Sequence, residues 1–163
     1  MQNQNPYAPP RAEVADVSSS LEPAPALWNP NAAASWSLLF SPIFGAVLHM
    51  KNWQSLGESE RAASSRNWAI GSLVFFVVMM AFAVFAPDER TVDHLTRLLG
   101  LVLLFTWYFA SARSQQRYVQ EKFGKNYPRR GWVKPLLLAL LATIGFVAVA
   151  GIVGVLIDGP GAA

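Results

Sequence analysis

Two histidines, His49 and His94, are the residues of this 163-residue chain best suited to hold a metal or haem, because the imidazole is the commonest nitrogen ligand. Their placement argues against a shared site. With four crossings His49 closes the first apolar segment on one side and His94 opens the third on the other, roughly a bilayer core of ~30 Å away. Both therefore read as interfacial side chains. The chain has no cysteine, which removes disulfides, thiolate metal sites, iron–sulfur clusters and cysteine nucleophiles. Asp93 beside His94 is the one acid–base pair near headgroup level, and a membrane enzyme acting on lipids would have to use it. Pumps place ionisable groups deep in the membrane, whereas Asp88, Glu89, Asp93 and Asp158 all fall at the ends of apolar runs. No catalytic residue, metal-ligand set or cofactor motif emerges, and the expectation is a non-enzymatic protein without cofactor.

One cluster has a definite chemistry. Lys122, Phe123, Lys125, Tyr127, Arg129, Arg130, Trp132 and Lys134 interleave basic and aromatic side chains beside an apolar run. Basic residues there attract anionic lipids by about 1 kcal/mol each, so Lys122, Lys125, Arg129, Arg130 and Lys134 are candidate lipid contacts. The same charges also set orientation. A pI near 9.5 does not indicate nucleic acid, because these residues lie in connections between apolar segments, where membrane insertion accounts for them.

The elements that position these residues are membrane helices. Pro135 to Ile157 carries no charge over 23 residues, and at about 1.5 Å per residue that is long enough to cross a bilayer core. Uncharged runs at Trp68–Ala86 and Leu98–Ala112 accompany it. The expected fold is all-α, a helical membrane bundle of four segments at about 32–50, 68–86, 95–112 and 135–157. Three are firm transmembrane helices and the first is short. Its clean core from Trp36 to Leu48 covers only about 20 Å as a helix, so it is either a thin or Pro-kinked span or a re-entrant segment that returns to the side it entered. A full span is the favoured reading.

Around these, residues 1–31 hold six of the eleven prolines and few apolar side chains, a composition that favours a disordered tail. Ser55 and Glu58 have the spacing of a capping box, Gly57 offers a break, and a long helix is expected from about Glu58 to Ala86, ahead of Pro87. The next helix starts near Asp93 and continues past the membrane through Ser111–Phe123, stopping at Gly124. Residues 32–158 thus form the transmembrane domain, with a short tail at 159–163.

Lysine and arginine number three in 51–67 and seven in 113–134, against two in 87–97. The positive-inside rule therefore makes the 51–67 and 113–134 loops cytoplasmic. A fully spanning first segment puts the N-terminus outside. In the last helix Ala139, Thr143, Val147 and Gly151 recur every four residues, and Ala150 with Gly154 forms a second small pair, which makes this the candidate helix-packing face.

Phe44 to Ala62, FGAVLHMKNWQSLGESERA, resembles a pattern of small bacterial multi-pass inner-membrane proteins: a short apolar segment, then Asn-Trp-x-x-Leu-Gly, then a charged helix start. The opening Asn5-Pro6-Tyr7-Ala8-Pro9-Pro10 is similar to tails ahead of several bacterial membrane families, RDD-domain proteins among them, but their Arg-Asp-Asp signature is absent. The resemblance implies a bacterial inner-membrane location and no particular activity. The function expected is that of a multi-pass inner-membrane protein acting through protein or lipid contacts, as an accessory subunit, an anchor or a protective partner. The expected partners are the bilayer and its anionic lipids, with a membrane protein or a second copy of the chain. The alternative is a small oligomeric channel or carrier.

Overall fold

The computed structural model describes residues 23–85 and 89–158, and the described residues are helical apart from connections and one isolated β-bridge. The tail expected over 1–31 lies outside the described residues as far as residue 22, as does the short end at 159–163.

The first apolar segment is not one helix. α1 (Pro30–Phe40) and α2 (Pro42–Ser55) meet at Ser41, whose backbone sits at φ 87° and ψ 163°. Pro42 explains the break, since its ring excludes the helical region for the residue before it and it offers no N–H to a preceding turn. Both helices open on a proline, where the missing donor costs nothing. Their 11 and 14 residues extend about 16 and 21 Å, each well short of a bilayer core of ~30 Å. They run antiparallel, because Trp28 just ahead of α1 is hydrogen-bonded to Asn52 near the end of α2. The favoured full span is thus corrected: the segment is a helical hairpin, the re-entrant alternative. Residues 27–31 consequently lie at the same end of the molecule as the α2–α3 connection and the 124–132 connection.

Three helices are long and apolar enough to cross a membrane: Ser59–Ala83, Arg90–Phe123 and Val133–Leu156. They make the chain compatible with an integral membrane protein. The first lies within α3 (Ser59–Phe85), which begins after Gly57 at φ 76°. There the Glu58 N–H closes on the Trp53 carbonyl at 3.0 Å, the wide turn that a left-handed glycine permits at a helix end. Ser55 and Glu58 do not form the expected capping box. The Ser55 hydroxyl donates to the Lys51 carbonyl, and the Glu58 carboxylate accepts from Tyr118.

α4 (Glu89–Trp107), a π-helical turn (Tyr108–Ala112) and α5 (Arg113–Phe123) make one rod. It starts earlier than expected, with Asp93 and Arg97 paired at 2.8 Å on its exposed first turns, and it ends as expected at Gly124, φ 59°. The π turn has a purpose in register. Trp107, Ser111, Gln115 and Val119 are all buried, yet steps of four residues overshoot a 3.6-residue turn by about 40° each. A stretch of wider i→i+5 turns winds back that drift and keeps the four side chains on one face. α6 (Val133–Asp158) completes the chain.

The core is built of small residues and two indoles. Ala62, Ser65, Ala69, Ser72 and Met79 form the buried stripe of α3, at the three- and four-residue spacing of one helix face. Ala34, Ala46, Ala69, Leu104, Trp107 and Ala112 cluster together. Gly45 makes the hairpin's approach possible, since a Cβ there would fall on the Ser37 hydroxyl and on the outer carbons of the Trp107 indole. Gly45→Ala is expected to destabilise the protein by about 1–3 kcal/mol through overpacking, read as a lower thermal midpoint in detergent. Gly71→Ala, where a methyl meets nothing within 4 Å, is expected to be neutral or stabilising.

Candidate functional site

The described residues bring their buried polar groups together at the base of the hairpin, and the site is best built from Asn52. Its side-chain oxygen accepts from the Trp28 backbone N–H at 3.0 Å, and its amide nitrogen donates to the Trp28 carbonyl at 2.8 Å. A carboxamide has a donor and an acceptor side by side and can satisfy both backbone groups of one residue. The same nitrogen reaches the Gln115 side-chain oxygen at 3.2 Å, and the Gln115 amide donates to the His49 carbonyl at 2.8 Å. Asn52, Gln115 and His49 are all fully buried. The network thereby ties the N-terminal segment, α2 and α5 at one point.

The segment before α1 is held from its other edge too. Leu27 pairs with the 128–130 backbone through Leu27 N–H to Pro128 O at 3.0 Å and Arg130 N–H to Leu27 O at 2.9 Å. The Trp28 indole N–H donates to the Gly131 carbonyl at 3.0 Å, and the Arg130 guanidinium lies 4.7 Å over the indole ring. Leu27 is completely buried, so the folded part begins before residue 31, at which the tail was expected to end.

Beside this tether lies an aromatic clamp between α2, α3 and α5. The Trp53 and Tyr118 rings meet edge to face at 5.1 Å, and the Arg61 guanidinium stands 4.9 Å from one ring and 5.0 Å from the other. Tyr118 donates its hydroxyl hydrogen to Glu58 at 2.9 Å and accepts from Lys122 at 3.2 Å. Such contacts are worth about 0.5–1 kcal/mol each where exposed, and here they fix the α2–α3 corner against α5.

The five candidate lipid contacts are not equivalent. Arg130 is engaged internally, with Trp28 and with the Ser55 hydroxyl at 3.1 Å. Lys122 is held on Tyr118. Lys125 and Arg129 are exposed and line one groove with Tyr127, while Lys134 stands exposed at the start of α6. Burial raises the Tyr127 phenol above its ordinary value, an effect partly countered by Arg129.

His49 corrects one expectation. It is not an interfacial side chain but is fully buried, with its ring 5.6 Å from that of Trp107 and Nε2 3.3 Å from the Pro30 carbonyl. His94 is exposed on α4. Among the described residues no group of three His, Cys, Asp or Glu side chains is placed to hold a metal. The candidate packing face of α6 is open: Ala139, Ala150 and Gly154 are half-buried, and Thr143 and Gly151 are exposed.

Asn52, Gln115 and Trp28 were not singled out from sequence, although a signal for two residues of the site existed. Asn52 and Trp53 are the Asn-Trp of the Asn-Trp-x-x-Leu-Gly pattern, and Gly57 is its glycine. Each has a mechanical duty here: tether, clamp and helix break. The pattern is thus a local folding signature. The class defined by fold and site is a helical chain with three membrane-length helices and a short hairpin knotted to its loops at one end. Protein families, curated proteins and solved structures contain no match to the chain.

Two outcomes follow from the tether. Asn52→Ala leaves both Trp28 backbone groups and the Gln115 oxygen without this partner, at about 1–3 kcal/mol for each that stays buried. The expected result is a lower thermal midpoint and release of the hairpin, seen as new protease cleavage near residue 41. His49, at the hairpin base and outside the three membrane-length helices, is lowered by burial from 6.5 to about 4. Its folded form stays neutral where the unfolded form takes up a proton, so stability falls with pH between about 6.5 and 4 and levels off below. The loss between pH 7 and 5 is about 2 kcal/mol, and His49→Gln is expected to remove that part of the slope in unfolding titrations.

Proposed function

We propose that the chain is an integral protein of a bacterial inner membrane that works through contacts, as an accessory subunit, anchor or protective partner of another membrane protein. The observation that carries the reading is α6. Its apolar window is the most hydrophobic of the three, at a mean hydropathy of 2.7, yet 0% of that window is buried within the chain, against 11% and 17% for the others. A helix so apolar and so little covered by its own chain needs lipid or another protein around it. Ala139, Thr143, Ala150, Gly151 and Gly154 supply the small surfaces on which a partner helix packs closely.

Orientation follows from charge. The 51–67 and 113–134 loops hold three and seven basic residues, which favours the cytoplasmic side. Residues 27–31 are bonded to those loops, so the chain enters on that side and α6 leaves on the other.

The test is purification of the full chain from its native membrane in mild detergent. A membrane protein is expected to co-purify stoichiometrically, and Gly151→Leu with Gly154→Leu is expected to release it while the hairpin network stays folded. Ala26→Cys and Ser64→Cys are expected to react with an impermeant maleimide from the same side, and His94→Cys from the opposite one. Ion or solute flux by the chain alone in proteoliposomes would favour the oligomeric channel or carrier instead, and catalytic turnover would overturn both.

A further inference from the structure

We infer that the exposed face of α1 is a binding site for one anionic phospholipid, with the phosphate at the hairpin base and an acyl chain along the helix toward the Ser41 turn. The inference rests on the membrane reading above and narrows its lipid contact from a diffuse basic surface to one place.

Two surface depressions share that face. The first, of about 120 Å³, lies between the start of α1 and the 124–129 connection, where Asn31, Gln116, Gln120, Lys125, Tyr127 and Arg129 line it. Its lining contains two cations and no carboxylate. Lys125 and Arg129 are exposed and in no ion pair among the described residues. Arg129 is positioned from both sides, since its backbone is bridged to Leu27 and its guanidinium rests 5.7 Å over the Tyr127 ring. Amide groups, a phenol and two cations around a small volume suit a phosphodiester, which takes several donors at once.

The second depression is open and apolar, lined by Ser35, Trp36, Leu38 and Leu39. Leu38 and Leu39 are 71% and 69% exposed. Asn31, Ser35 and Leu38 or Leu39 follow at spacings of four and then three or four residues, so they form one stripe along the helix. From Asn31 to the leucines the rise is about 11–12 Å, which lies within a leaflet whose hydrocarbon half is about 15 Å deep. The polar groove therefore falls at phosphate level and the apolar one among acyl chains, on a hairpin whose two ends are held on the side of the basic loops.

The test uses the full-length protein, delipidated in detergent, with lipid counted per chain by native mass spectrometry. Phosphatidylglycerol is expected to bind at one per chain and phosphatidylcholine distinctly more weakly. Lys125→Ala with Arg129→Ala is expected to weaken phosphatidylglycerol binding by about thirtyfold, whereas Lys51→Ala with Lys134→Ala, two exposed lysines outside both depressions, changes it by no more than about threefold. Leu38→Asn with Leu39→Asn is expected to weaken the lipid but not glycerol phosphate. Equal losses from the two lysine-containing pairs would show diffuse attraction, and equal displacement of the lipid by inorganic phosphate would show a free-anion site; either overturns the proposal. So does the absence of bound lipid in the unaltered protein. If the chain nonetheless stays in carbonate-washed membranes, the membrane reading survives that failure, and release by carbonate would remove both.

Discussion

The side chain of Asn52 holds the backbone of Trp28 at both its N–H and its C=O, and the arrangement of the whole chain depends on that pairing. Backbone groups leaving a helix need partners. At the head of an apolar hairpin the nearest ones are on the other arm, so a residue on α2 satisfies the entry to α1 and closes the two arms together. The closure puts both ends of the hairpin at one end of the molecule, which leaves three helices of membrane-crossing length and brings the later connections beside the N-terminal segment. Gln115 extends the bond to α5, and the π turn above it keeps Trp107 and Gln115 facing the hairpin together.

Much of this was readable in the sequence, for identifiable reasons. The three helices of membrane-crossing length announce themselves by length and hydropathy, properties that no tertiary contact overrides. Gly57 and Gly124 could be placed as helix ends because a left-handed turn favours glycine, and both adopt it. The hairpin was legible only as an alternative. Its apolar content suits a thin span as well as a re-entrant pair, and the deciding bonds join residues 27–28 to 52 and to 128–131, separations that periodicity does not register. His49 was misplaced for the same cause: with a full crossing it lies at an interface, whereas in the hairpin it turns inward onto Trp107. The Ser55–Glu58 spacing failed as a cap because Glu58 had a competing partner in Tyr118, 60 residues away.

The basic residues illustrate how one composition divides into separate duties. Read as a run, Lys122 to Lys134 looks uniform. Folded, Arg130 is a structural cation over Trp28, Arg61 joins it in kind over Trp53 and Tyr118, and Lys122 steadies the same clamp. Cation–aromatic contacts hold the corners of this end of the molecule where an apolar core would be too small. The cations outside those corners are the ones whose electrostatic reach is directed outward.

The Leu27–Arg129 bridge has a mechanical meaning. Two backbone hydrogen bonds clip the N-terminal segment to the connection between α5 and α6, upstream of the hairpin itself. Tension applied to the chain ahead of Leu27 is therefore borne first by residues 128–130 and passed to the root of α6, bypassing α1. The first and last described helices are coupled like the two ends of a strap through a buckle, although the sequence separates them by nearly the full length of the protein.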